Sequence, residues 1–168
     1  GMWTDMFGAA VPDAGDPELA KKLIAESGEP MVDLTYQFPI SPTNEKAAAS
    51  IKGSLEKAGM KVTLEGIEAG QYYGVVLDPA QEKEIVSAGW GPDWQNASTV
   101  IPELFGANGG FTLSRVNDPA YEAEVQAALA MTDRAAQAEA WKALNKQAME
   151  QAWVVPTRFG KIQYLWGS

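Results

Sequence analysis

With 168 residues, 46% of them hydrophobic and 21% charged, the chain is long enough for one domain with a buried core, and its mixture is that of an ordinary soluble protein. A formal net charge of −9 argues against a nucleic-acid backbone or an anionic lipid surface as the main partner and leaves cationic or zwitterionic small ligands compatible. The absence of histidine and cysteine removes the usual zinc sites, Ser-His-Asp and Cys-His catalysis, thiol redox chemistry and disulfides.

Residues 1–15, with Gly8, Pro12, Asp13 and Gly15 among apolar residues, read as an irregular opening segment whose Met2, Trp3, Met6 and Phe7 cover a core edge. The first five residues lack the basic stretch and long apolar run of a signal peptide, and no run anywhere is long enough to span a bilayer. If the natural protein is exported, this sequence is a piece of it. Asp16-Pro17 is a helix cap followed by proline at the first helical position. An apolar stripe of Leu19, Ala20, Leu23 and Ile24 follows, and Gly28 is a stop, so a helix is predicted over 17–27.

Val32, Leu34, Tyr36 and Phe38 alternate with Asp33, Thr35 and Gln37, the pattern of a strand with one buried face. Ser41-Pro42 opens a second helix with Ala47, Ala48, Ile51, Leu55 and Ala58 on its buried face and Gly59 at its end. Met60, Val62 and Leu64 alternate again. Strand, helix and strand joined by short connections predict a βαβ unit with parallel strands and a right-handed crossover. Residues 69–77 read as a short helix broken by Asp78-Pro79, with one of Tyr72 and Tyr73 in the core and the other outward.

Residues 84–90, with the β-branched pair Ile85 and Val86, read as a buried third strand, followed by a loop of Gly91, Pro92, Asp93 and Trp94. One carboxylate thus sits between two indoles. Trp90 and Trp94 offer flat apolar walls and Asp93 a charged anchor for an ammonium or hydroxyl. The loop taken alone favours the plainer reading, in which the rings cap a core and the aspartate only ties its own turn, because turn aspartates are common and ligands few.

Residues 98–105 are helical or irregular, with Pro102 against a long helix, and Gly106 to Gly110 form a flexible turn. Asp118-Pro119 and Asp133 open two tandem helices, bearing Tyr121, Val125, Ala128 and Leu129 on one and Ala138, Trp141, Leu144, Ala148 and Ala152 on the other. Both are expected to pack on the sheet. Residues 153–156 and 162–166 read as closing strands, the latter ending abruptly at Trp166-Gly167-Ser168 like a cut piece. With no repeat or linker, the pattern is a single α/β unit over 1–168.

Several short motifs lack their context. Ser54-Leu55-Glu56-Lys57 spells the S-x-x-K of penicillin-recognising enzymes but falls mid-helix without companion elements. Asn96-Ala97-Ser98 spells a glycosylation sequon, and no phosphate loop, calcium loop or oxygen-ligand metal cluster is visible. No catalytic residue, metal or cofactor is therefore assigned.

Across most of its length the chain resembles the solute-binding proteins of bacterial ABC importers of the dipeptide, oligopeptide and nickel type, family 5. The likeness runs through D-P-E-L-A-K-K-L-I-A-E-S-G, L-T-Y, the S-P-T-N-E-K-A-A-A-S-I-K-G-S-L-E-K-A-G-M-K-V helix and strand, G-W-G-P-D-W, N-D-P-A-Y, and the final W-V-V-P and L-W-G-S. It implies a type II periplasmic-binding-protein-like second lobe, with a βαβ-containing mixed sheet flanked by helices, from a clamshell that traps peptides or similar solutes for an ABC permease. It also implies an extracytoplasmic location, periplasmic or lipid-anchored.

In peptide-binding members a loop acid similar to Asp93 pairs with the ligand's α-amino group beside a tryptophan. Asp93 and Trp90 are the carry-over, with Trp94 and Tyr72 as further ligand contacts. Ser87 stands where some oligopeptide binders carry a basic residue, and Asp93-Trp94-Gln95-Asn96 replaces their D-Y-P-D-P. Two other readings stay open: a carboxylate-based hydrolase with a second acid near Asp93, and an interaction domain that pairs copies through the surface a first lobe would cover.

Overall fold

The computed structural model describes residues 15–157 together with the backbone of residues 3–4 and 10–11. Short strands β1 (Trp3–Thr4) and β2 (Ala10–Val11) pair antiparallel, so the opening segment carries a small ladder where an irregular run was expected.

Helix α1 (Pro17–Ser27) forms as predicted: the Asp16 carboxylate accepts the Leu19 amide at 2.9 Å, and Gly28 ends the helix at φ +69°. Its apolar stripe is not covered, since α1 meets α2 without burying any of its own residues, and Leu19 and Leu23 are 47% and 55% exposed. Replacing both leucines by serine therefore costs less than about 1 kcal/mol in urea unfolding, as at ordinary surface positions. A loss of several kcal/mol would mean that the stripe is buried in solution.

The βαβ unit is built from β3 (Asp33–Pro39), α2 (Pro42–Lys57) and β4 (Lys61–Ile67), with the strands parallel from Asp33↔Lys61 to Pro39↔Ile67. Ser41 caps α2 through the Asn44 amide at 3.1 Å, and Gly59 takes the positive φ that lets the chain turn back. Ala48, Ile51 and Leu55 then pack on Tyr36, Phe38 and Val62 to make the sheet's core.

The alternation in β3 predicts one buried face, yet Gln37 is also buried, at 1% exposure. Its amide is fully used: Nε2 donates to Glu65 Oε2 at 3.2 Å and to the Gln81 carbonyl at 3.1 Å, and Oε1 accepts the Lys83 amide at 3.1 Å. A polar side chain so paired is tolerated inside, and both faces of the central strand are covered.

Helix α3 (Tyr72–Val76) buries Tyr72 and Val76. Strand β5 (Ile85–Val86) joins as the third strand, parallel to β3 in the order β4-β3-β5, so this sheet is parallel throughout. It is shorter than the predicted 84–90, and its two residues are half-buried. The Ser87 amide still donates to the Gln37 carbonyl at 2.9 Å. The next rung in this register needs an N–H from Pro39, which has none, and the Ser87 carbonyl instead accepts the Tyr72 hydroxyl at 2.6 Å.

A 3₁₀ turn (Ala97–Thr99) and α4 (Ile101–Phe105) lead through a glycine-rich turn to α5 (Pro119–Ala130) and α6 (Arg134–Glu150). The tandem helices do not pack on the sheet as expected. Tyr121, Val125 and Ala128 of α5 cluster with Trp141, Leu144 and Ala148 of α6 and with Ile101 and Phe105 of α4, forming a second core apart from that of the sheet. Each helix has one apolar stripe, and these stripes are spent on each other.

Trp153, predicted to start a strand, instead lays its ring edge-on against Tyr121 at 4.9 Å, and residues 154–157 form no regular element. The predicted strand 162–166 and the side chains of Met2, Trp3, Met6 and Phe7 lie outside the described residues. Arg115 links the two halves: Nε donates to Glu82 at 2.6 Å and Nη2 to the Leu77 carbonyl at 3.1 Å.

Three carboxylates hold amide donors and titrate below their ordinary range. Side-chain and backbone donors of Gln81 and Ala80 lower Asp78, the Thr35 amide lowers Glu84, and the Ala107 amide with Gln126 lowers Glu122. With folded values below unfolded ones, their contribution is complete above the ordinary 3.8 and 4.5 and is lost as pH falls through the lower folded values. The urea midpoint should stay flat from about pH 7 to 5 and fall below about pH 4, with a blunted fall in a Glu84→Gln, Glu122→Gln variant. An unchanged acid profile in that variant would remove these groups from the account.

Candidate functional site

The segment from Gly89 to Asn96 leaves the end of β5 and crosses to the helical half. Gly89, Gly91 and Pro92 deny it strand pairing, and Asn96 starts the 3₁₀ turn by accepting the Ser98 amide on Oδ1 at 2.9 Å. Asn96 Nδ2 donates to Gln137 Oε1 at 3.0 Å, and Gln137 Nε2 donates to the Ala128 carbonyl at 2.9 Å. The loop is thereby fastened to both α5 and α6. Because the Asn96 amide is engaged on both atoms, a glycan there would break this fastening.

Thr99, 2% exposed, is where the loop closes on itself. Its hydroxyl donates to Asp93 Oδ2 at 2.7 Å and accepts the Asp93 amide at 3.2 Å, while its carbonyl accepts the Trp90 indole N–H at 2.8 Å. Trp94 Nε1 donates to Ser98 Oγ at 3.1 Å. The structure therefore gathers Trp90, Asp93 and Trp94 on one short turn. Asp93 is exposed and pairs with no cation among the described residues, and Trp90 and Trp94 are 39% and 58% exposed.

Tyr72 does not join them. Its ring is buried, its hydroxyl lies 2.6 Å from the Ser87 carbonyl and 3.0 Å from that of Gln37, and burial pushes the phenol well above its ordinary value. It has no surface to offer a ligand and acts as a strut under the strand end. The outward ring is Tyr73, which stands 5.1 Å from Phe111, itself 5.1 Å from Trp90. These rings form an aromatic row leading away from Trp90.

Phe111 and Thr99 escaped the sequence reading. The signal for Phe111 was its place directly after Gly109-Gly110, but the turn is not the flexible link expected. The Phe111 amide donates to the Glu103 carbonyl at 3.2 Å, and a Cβ on Gly109 would stand 2.4 Å from that same oxygen. Only glycine lets the turn fold this tightly onto α4 and bring Phe111 to Trp90. Thr99 carried no signal, since its role depends on a fold-back that spacing does not reveal.

Elsewhere, Ser54 donates to the Ser50 carbonyl at 3.1 Å on the exposed face of α2, without a catalytic setting. No group of three or more acidic residues fit to hold a metal occurs among the described residues. A groove of about 530 Å³ lies between residues 95–101 and α6, but Trp90, Asp93 and Trp94 do not line it.

Residues 2–112 match the family model of bacterial extracellular solute-binding proteins, family 5, a span that holds the whole sheet, the Asp93 loop and α4. The chain belongs to this family. Among characterised relatives, Di/tripeptide-binding protein 4 of Pseudomonas aeruginosa strain UCBPP-PA14 is 26% identical, over 88% of this chain and 29% of its own length. The structure is similar to that of the murein tripeptide binding protein MppA of Escherichia coli, with a TM-score of 0.73 and 25% identity over 82% of this chain and 27% of that one.

It is also similar in fold to NikA of Staphylococcus aureus, solved in complex with Ni(L-His)2, with a TM-score of 0.73 and 12% identity over 83% of this chain and 30% of that one. The chain spans less than a third of the length of these family 5 proteins. The periplasmic-binding-protein-like α/β class follows from these likenesses. No helix among the described residues is long and apolar enough to cross a membrane.

Proposed function

We propose that this family 5 chain is the second lobe of an extracytoplasmic receptor, periplasmic or lipid-anchored, that captures peptides or similar small solutes for an ABC permease. The reading rests on one observation above all. Asp93 is a carboxylate fixed by a buried hydroxyl yet free of any cation among the described residues, and it is flanked by two exposed indoles. That arrangement suits a ligand with a free ammonium group and an apolar body. The loop follows the carboxyl end of a parallel strand, where ligands of open α/β sheets bind.

The chemistry is capture without turnover. Asp93 is hydrogen-bonded to Thr99, a setting that suits a fixed anchor for a ligand's ammonium. Closure of the first lobe over this one would strip water from the Asp93–ammonium pair and select the closed state. Calorimetric titration of di- and tripeptides tests the reading. A two-lobed protein carrying this chain should bind them in the micromolar range or better, and the 168-residue chain alone far more weakly. Indifference of the two-lobed protein to every peptide, with binding of sugars or metal chelates instead, would refute it.

The exposed Leu19, Leu23, Met31 and Val32 favour a second and compatible reading in which copies of this chain pair through an uncovered apolar surface. Light scattering across a range of concentrations decides it: a mass that doubles supports pairing, and a constant monomer mass excludes it.

A further inference from the structure

Trp90 and Asp93 are both tied to Thr99, but through different atoms: the indole N–H to its backbone carbonyl, the carboxylate and amide of Asp93 to its hydroxyl. We propose that Thr99 is the positioning residue of the site, whose hydroxyl aims the Asp93 carboxylate alongside the Trp90 ring. This deepens the peptide-binding reading and rests on it. Thr99 needs no contact with ligand.

By holding Oδ2, it leaves Oδ1 as the oxygen free for an ammonium, and by holding the Asp93 amide it removes the rotation that would swing the carboxylate away. Its own place is secure: it is buried, and its amide donates to the Asn96 carbonyl at 3.3 Å within a turn fastened to α6 through Gln137. A hydroxyl held this way is ordered before ligand arrives, so little freedom is lost on binding.

The two ties separate on mutation. Thr99→Val has nearly the same shape and keeps the carbonyl, so it releases Asp93 and leaves Trp90 in place. Thr99→Ser keeps both ties. Thr99→Ala also lacks the hydroxyl and serves as a second test should valine pack poorly.

In the 168-residue chain, hydrogen exchange by NMR should speed the Asp93 amide about fivefold or more in the valine and alanine variants and leave the serine variant like wild type. The Trp90 indole proton should be unchanged throughout. In a two-lobed protein carrying this chain, the affinity for trialanine over its N-acetylated form should drop about tenfold in the valine variant and be retained in the serine variant. Unchanged exchange and unchanged discrimination in both hydroxyl-less variants would overturn the proposal. Equal binding of the two peptides by wild type would instead sink the ammonium reading, and the exchange rates alone would then decide whether Thr99 holds Asp93.

Discussion

Asp93→Asn lowers the affinity of a two-lobed protein carrying this chain for free-amine peptides by roughly a hundredfold, about 2.7 kcal/mol. Asparagine keeps an acceptor for the Thr99 hydroxyl, so the turn persists and only the charge is lost. In the closed clamp the ligand's ammonium would sit out of water. Removing one partner of a desolvated, hydrogen-bonded pair costs about 2–5 kcal/mol, because the remaining charge stays buried without its counterion. N-acetylated peptides have no such charge and should bind both forms alike. Exposed charges elsewhere, such as Glu68, should alter binding by far less, since exposed pairs are screened. Calorimetry on the four combinations of protein and peptide checks this, and equal losses for both peptides would assign Asp93 to the turn alone.

Tyr121→Ala destabilises the chain by about 3–5 kcal/mol, the usual cost of deleting a large buried ring. Tyr121 is fully buried, stands edge-on to Trp153 at 4.9 Å and to Phe105 at 6.5 Å, and lies with its hydroxyl 3.3 Å from the Leu144 carbonyl. One substitution thus opens a cavity among α4, α5, α6 and the segment after α6. The damage should reach the Asp93 loop, since Asn96 is fastened to Gln137 and Gln137 to Ala128. Urea unfolding reads the loss directly, and the chain's tryptophan fluorescence should shift toward that of solvated indole as Trp141 and Trp153 lose their packing. Tyr121→Phe, which removes only a 3.3 Å hydrogen bond, should cost no more than about 1 kcal/mol.

The local signals were the legible part of this chain. Asp16, Ser41, Asp118 and Asp133 each cap the helix they predict, because a short oxygen-bearing side chain before a proline or an apolar stripe acts on amides within three residues. The parallel βαβ pair was legible for the same reason: period and loop length leave few ways to join two strands through a helix. What escaped depends on which surfaces meet. The stripes of α5 and α6 read the same whether they cover a sheet or each other, and the stripe of α1 reads the same whether it is covered or bare.

The site divides along that line. Trp90, Asp93 and Trp94 are legible as one cluster because they crowd into one short loop whose composition suits a ligand. Tyr72 is expected as a contact from the sequence, where adjacent tyrosines give no sign of which points inward. The answer lies in the missing N–H of Pro39, which leaves the Ser87 carbonyl for the Tyr72 hydroxyl and turns Tyr73 outward. Thr99 is brought in by the fold-back of the Asp93 loop onto the 3₁₀ turn, and Phe111 by the close approach of backbone to backbone at Gly109, neither of which spacing reveals.

The measurement that bears most directly on this account is a crystal structure of a two-lobed protein carrying this chain, bound to a tripeptide. The account predicts the ligand's terminal nitrogen at about 2.7–2.9 Å from an Asp93 oxygen, with Thr99 still holding the other and the Trp90 ring against the peptide. A peptide whose terminal nitrogen lies on other residues, with Asp93 bonded to Thr99 alone and the indoles facing water, would contradict it.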